Sequence, residues 1–205
     1  MELILVRHAL PHRAVGDDGR PADPGLQEKG HRQAQAVADW LAHPHEGPIH
    51  ALYVSPMRRA RETAEPIARA LALAARIDDD LAEWDRHAAE YVPVEELRAA
   101  KDERWFALLR GSAELGVDPG EFQQKVVGAM ERIIASHRGQ RVAVVCHGGV
   151  ITSYVNSVVG VDRPVGFFHP EYTHITRVMA ASSGERNLHS LNETAHLRGG
   201  LAGGA

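Results

Sequence analysis

LILVRHA at residues 3–9 and VAVVCHGG at residues 142–149 decide how this chain is read. Each opens with an unbroken aliphatic run and closes on a histidine. A strand with one face in water alternates apolar and polar side chains, whereas an unbroken run fits the centre of a parallel sheet covered on both faces. Ligands of such sheets bind beyond the carboxyl ends of the strands. If the two runs point the same way, His8 and His147 share that edge. Arg7, beside the first histidine, supplies the positive charge that an anionic group needs. The pair predicts a phosphate site on an α/β fold, a three-layer sandwich whose mostly parallel central sheet carries helices on both faces.

At 205 residues the chain is long enough to bury a substantial core, and its length requires no second domain. The expectation is one domain over residues 1–197 and a Gly/Ala-rich tail over 198–205. A composition of 44% hydrophobic and 24% charged residues excludes the disordered and fibrous classes. No apolar run reaches the length of a membrane span. Met1 leads directly through Glu2 into the first strand, without the basic and apolar segments of a secretory signal, so a cytoplasmic location is expected. Cys146 is the only cysteine, which excludes an internal disulfide and a thiolate cluster and marks that residue as a small buried hydrophobe. The net charge is −4 and the basic residues are scattered, which argues against nucleic acid as a partner.

Outward from the two histidine runs, Ala34, Val37, Ala38 and Leu41 recur at helical spacing and predict a helix over 26–42. The polar segment 11–25 before it, with His12 and Arg13, reads as an irregular loop near the mouth of the site. A strand over 51–54 precedes a helix over 57–73, with Ser55 as N-cap and Pro56 at the first helical position. Arg58 and Arg59 then fall in the first turn, electrostatically misplaced unless an anion binds there. A strand over 75–77 leads into a carboxylate-rich stretch, 78–86. Further helices are expected over 94–109 and 119–137, the second capped by Asp118 with Glu121 three residues on. A loop over 111–120 separates them. Gly148-Gly149 opens a helix ending at Gly160, and strands over 175–181 and 188–191 close the fold.

The strings LVRHA (5–9), LQEKGHRQA (26–34), SPMRRARETA (55–64), LAE (81–83), CHGG (146–149) and LNETAHL (191–197) together resemble the histidine phosphatase superfamily, which includes phosphoglycerate mutases and phosphohistidine protein phosphatases. The resemblance runs from about Leu3 to Leu197, with Ala9 in place of the glycine of the family's Arg-His-Gly motif. It implies that His8 is the nucleophile that becomes a phosphohistidine, and that Arg7, Arg59 and His147 bind the phosphate. Arg59, rather than Arg58, matches the family pattern. It also implies Glu83 as proton donor, with Asp85 near enough in sequence to compete. A salt bridge to Arg86 is the structural alternative for Glu83.

Fixed donors can hold the charge of a transferring phosphoryl group without a metal, so neither a metal nor a cofactor is expected. The family's mutases carry a Trp-Asn pair after the nucleophile, and RHALPHRAV (7–15) lacks it. The resemblance therefore implies a metal-independent phosphomonoesterase acting on a small phosphorylated metabolite. The alternatives are mutase-like phosphoryl transfer, a phosphohistidine protein phosphatase, and a phosphate-binding module of low turnover. Selectivity is expected from the 11–25 loop and the 84–118 region. The sequence leaves the oligomeric state open.

Overall fold

The two aliphatic runs lie side by side and point the same way. Glu2–Arg7 (β1) pairs in parallel with a strand that places Leu3 opposite Val142 and Arg7 opposite Cys146. The computed structural model describes residues 1–110, 117–161 and 168–198. After β1 come β2 (Ala14–Val15), α1 (Glu28–Ala42), β3 (Ala51–Val54), α2 (Arg58–Leu71), β4 (Ala75–Ile77), β5 (Glu90–Tyr91), α3 (Val94–Ala99), α4 (Glu103–Arg110), α5 (Pro119–Ser136), β6 (Arg141–Cys146), α6 (Gly148–Val159), β7 (Ile175–Ala180) and β8 (Arg186–Glu193). The main sheet runs β4-β3-β6-β1-β7-β8. Its first four strands are parallel, β7 is antiparallel to β1, and β8 is antiparallel to β7.

Successive side chains of a strand face opposite ways, and here both faces are dry. Leu3, Leu5, Val142 and Val144 pack with Met130, Ile133, Ile151 and Val155 of α5 and α6. Ile4, Val6, Ala143 and Val145 pack with Val37, Leu41, Ala64 and Ile67 of α1 and α2. This is the expected three-layer sandwich, and it explains why β1 and β6 lack alternation. No helix among the described residues is long and apolar enough to cross a membrane.

Several local expectations hold. The Asp118 side chain accepts from Glu121 N–H (2.8 Å) at the start of α5, and Gly160 ends α6 at φ +71°. Others fail for physical reasons. Ser55 is not the N-cap of α2 and Pro56 is not its first residue. The helix starts at Arg58 with Met57 as cap, and the Ser55 hydroxyl bonds both Met57 N–H and His147. The anion at that helix start is internal: Asp23 Oδ1 accepts from Arg58 N–H (2.9 Å). The helix expected over 94–109 is two helices, broken where Lys101 adopts φ +50° and Asp102 Oδ1 accepts from Arg104 N–H (2.9 Å). Helix α1 begins at Glu28 rather than Leu26, which forms an isolated bridge with Pro11. The 11–25 segment contributes β2 to a small second sheet with β5, a pairing that so short a strand does not announce in sequence. Most of the expected 111–120 loop, and the tail beyond residue 198, lie outside the described residues.

Candidate active site

β1 and β6 deliver their histidines to one place. His8 N–H donates to Cys146 O (2.9 Å), which carries the ladder one step past Arg7. The rings of His8 and His147 then stand 5.0 Å apart between centroids. Arg59 arrives from the first turn of α2 and is 1% exposed. Thr63, one turn on, locks that turn to β1: its hydroxyl donates to Arg59 O (2.7 Å) and accepts from Ala9 N–H (2.9 Å). The small residue at position 9 is fully buried beneath this contact.

One hydrogen bond assigns the His8 tautomer. His8 Nδ1 lies 2.8 Å from Ala9 O. A carbonyl only accepts, so Nδ1 carries the proton and Nε2 of the neutral ring keeps its lone pair. Burial, reinforced by the guanidinium groups of Arg59 and Arg7, holds the His8 pKa well below the ordinary imidazole value. The ring is neutral and nucleophilic near pH 7. His147 Nε2 lies 2.7 Å from Ser55 Oγ, which also accepts from Met57 N–H (3.3 Å). A serine that donates to Nε2 leaves the proton of the neutral ring on Nδ1, and burial keeps this ring neutral too.

Four buried nitrogens here have no partner among the described residues: the guanidinium donors Arg7 Nε, Arg59 Nε and Arg59 Nη1, and His147 Nδ1. Leaving a buried donor unmade costs about 1–3 kcal/mol, and more where it is charged. A group of them in one place is what a site for a dianion looks like when built of fixed donors. The remaining contacts hold the arginines in position. Arg59 Nη2 donates to Asp85 Oδ1 (2.7 Å), and its guanidinium covers the Tyr91 ring at 4.5 Å. Arg7 donates to Pro170 O and stacks on Tyr172 at 3.9 Å, while the Tyr172 hydroxyl donates to Glu95 Oε2 (2.6 Å).

Glu83 is buried and lines the same cavity as His8, Arg7 and Arg59, a space of about 330 Å³. Its carboxylate accepts from Gly149 N–H (2.8 Å) and Trp84 N–H (3.1 Å). Those bonds favour the charged form, but burial with Asp85 beside it wins and raises the carboxyl to about 7. Position 149 must be glycine for this approach, since a Cβ there would lie 2.3 Å from Glu83 Oε1. Arg86 pairs with Asp79, not with Glu83. Asp85, the competing carboxylate, is committed to Arg59. Arg58 pairs with Glu62, and Arg13 with Glu90.

The arrangement thus brings together His8, Arg7, Arg59, His147 and Glu83. Sequence reasoning missed the supporting set of Thr63, Tyr91, Glu95 and Tyr172, and it gave Ser55 the wrong task. Thr63 four residues after Arg59 is the one legible signal among these. The tyrosines lie outside any strongly periodic segment.

A family model described as the histidine phosphatase superfamily (branch 1) matches residues 3–194. A bifunctional protein of Mycobacterium tuberculosis is 31% identical over 201 residues, 95% of this chain and 54% of that protein. This chain therefore spans about half the length of the first curated relatives it matches. Phosphoserine phosphatase 1 of Hydrogenobacter thermophilus is 30% identical over 167 residues, 79% of this chain and 78% of that protein. A phosphoserine phosphatase variant of Entamoeba histolytica in complex with phosphoserine shares the fold, with a TM-score of 0.72 at 23% identity, covering 96% of this chain and 98% of that one.

Proposed function

The chain belongs to the histidine phosphatase superfamily, branch 1, and from that membership we propose that it is a metal-independent phosphomonoesterase acting on a small phosphorylated metabolite through a phosphohistidine on His8. One observation carries the reading: the unpartnered buried donors of Arg7, Arg59 and His147 gather around an imidazole whose Nε2 lone pair is free. Phosphoserine phosphatases among the relatives support the same class of substrate.

In the first step Nε2 of His8 attacks phosphorus, the ester P–O bond breaks, and Glu83 gives its proton to the departing alkoxide. The guanidinium groups and His147 Nδ1–H hold the phosphoryl oxygens as charge redistributes. In the second step water attacks the phosphohistidine. Glu83, now a carboxylate, takes the water proton, and inorganic phosphate leaves with the His8 lone pair restored. A carboxyl raised to about 7 suits both roles at neutral pH. The single cysteine, buried and unpaired, fits a reducing compartment, and we place the activity in the cytoplasm. Recovery of the native protein solely from an oxidising compartment on cell fractionation would contradict that placement.

The test is hydrolysis of a chromogenic aryl phosphate with and without chelator, beside acid-quench trapping of labelled phosphate on the protein. Chelator-resistant turnover and label on His8 are expected. Chelator-sensitive turnover, or unchanged activity in His8→Ala, would overturn the reading.

A further inference from the structure

The cavity has two chemically distinct parts. One is the arginine and histidine end described above. The other is walled by Trp84, Val94, Trp105, Leu108, Leu109 and Phe168. None of these six is sealed in the core: five are half-buried and Leu109 is 60% exposed. Full burial of a side chain of this size is worth about 1.5–3 kcal/mol, and each of these retains part of that for a ligand to realise. Single exposed apolar residues are ordinary, whereas several lining one concavity mark a surface that a ligand covers.

Charge points the same way. Among the described lining residues the guanidinium groups are those of Arg7 and Arg59, and both belong to the phosphate end. Asp85 is paired with Arg59, and Glu83 is bonded to backbone N–H groups. Among the described lining residues, a carboxylate on the substrate's alcohol portion would meet Glu83 and Asp85 and no guanidinium beyond the two at the phosphate end. His169, the other basic residue there, has its ring packed edge-on to Trp105 at 6.2 Å. The space of about 330 Å³ lies within the range of small-molecule pockets, about 300–1,000 Å³, so it has room for a leaving group beside the phosphate.

We propose that the esters this chain hydrolyses best carry an uncharged, apolar alcohol, aliphatic or aromatic, seated against Trp84, Trp105 and Leu108. The inference rests on the phosphatase reading above and adds the class of leaving group to it. It sets this chain apart from relatives named for phosphoserine, whose alcohol bears a carboxylate and an ammonium group.

The test is kcat/KM for a series of straight-chain alkyl phosphates from ethyl to hexyl, with 2-phenylethyl phosphate, phosphoserine and glycerol phosphate as comparators. Every straight-chain member and the phenylethyl ester leaves as a primary alkoxide, so intrinsic reactivity is nearly constant and the trend reports binding. Burial of each added methylene should raise kcat/KM about fourfold until the wall is filled. Phosphoserine and glycerol phosphate should fall below hexyl phosphate. Leu109→Glu, which alters an exposed part of the wall, should flatten the slope with chain length, as should Trp105→Ala. A flat or falling series, or phosphoserine preferred over hexyl phosphate, overturns this inference while leaving the phosphatase reading intact. Turnover of none of the esters overturns both.

Discussion

Both ends of the central sheet bury arginines, and the two ends treat them in opposite ways. Where β1 and β6 begin, Arg177 donates from all three of its nitrogens: Nε to Glu193 (3.0 Å), Nη1 to Glu2 (3.1 Å) and Glu46 (2.9 Å), and Nη2 to Glu46 (2.7 Å). Arg141 joins the same carboxylates, and they hold Glu46 and Glu2 below the usual carboxylate range. Where the same strands end, Arg59 has one carboxylate on one nitrogen, and its other two buried nitrogens are bare. Arg7 Nε is bare as well. The composition is similar, but one cluster closes on itself and the other is open. A closed network of charges serves the fold, whereas an open one leaves buried donors that the proposed phosphate ester would satisfy.

Experiments that break this contrast should separate activity from stability. The largest effect belongs to His8: His8→Ala should lower turnover by about 10⁴-fold or more, as loss of a nucleophile does, with thermal stability nearly unchanged. Steady-state kinetics and a melting curve on the same sample check it. Arg59→Lys keeps a charge but loses the planar fork, and kcat should fall about 10²- to 10³-fold. Near-full activity in that variant would show that charge alone suffices.

Glu83→Gln should cost about 10²- to 10⁴-fold. Its pH profile is more telling than its rate. A carboxyl raised to about 7 is protonated below that pH, so kcat/KM of the parent protein should fall as pH rises through about 7. The fall should vanish in the variant, and a parent profile flat from pH 5 to 9 would remove Glu83 as the proton donor.

At the closed end, Arg177→Met leaves Glu46 and Glu2 with Arg141 as their guanidinium partner and removes the pairing of Glu193. It should destabilise the protein by about 1–3 kcal/mol in denaturant unfolding, while kcat/KM of the folded fraction stays within a few-fold. The smallest effect is expected for Tyr172→Phe, which deletes the bond to Glu95 while keeping the ring under Arg7. Its kcat should drop about fivefold, the equivalent of one hydrogen bond of about 1 kcal/mol. A loss near that of Arg59→Lys would mean that the tyrosine hydroxyl does more than steady Arg7.

The open end was largely legible in the sequence, and the reason is local. Arg7 and His8 directly follow an unbroken aliphatic run, as does His147, so strand direction alone carried them to one edge. Arg59 was legible through the motif around it, and its position in a first helical turn was the visible conflict. The helix start itself was misread by two residues: the Ser55 hydroxyl accepts from Met57 N–H just before the helix and also reaches His147 across 92 residues of chain, a tertiary contact that local capping preference does not report. The break between α3 and α4 was invisible for a similar reason: it rests on Lys101 adopting a positive φ, with no glycine to announce it. Glu83 was found by motif, yet its raised pKa depends on burial and on Asp85, which spacing does not report. The closed end was not read at all, since Glu2, Glu46, Arg141, Arg177 and Glu193 come from separate segments and show no pattern before folding.

The most direct test of the open cluster is a crystal structure of the protein with vanadate. Vanadium is expected to bond to His8 Nε2, with its oxygens about 2.7–3.1 Å from Arg7 Nε, Arg59 Nε and Nη1, and His147 Nδ1. Vanadate held away from His8, or those nitrogens still without a partner once it is bound, would contradict this.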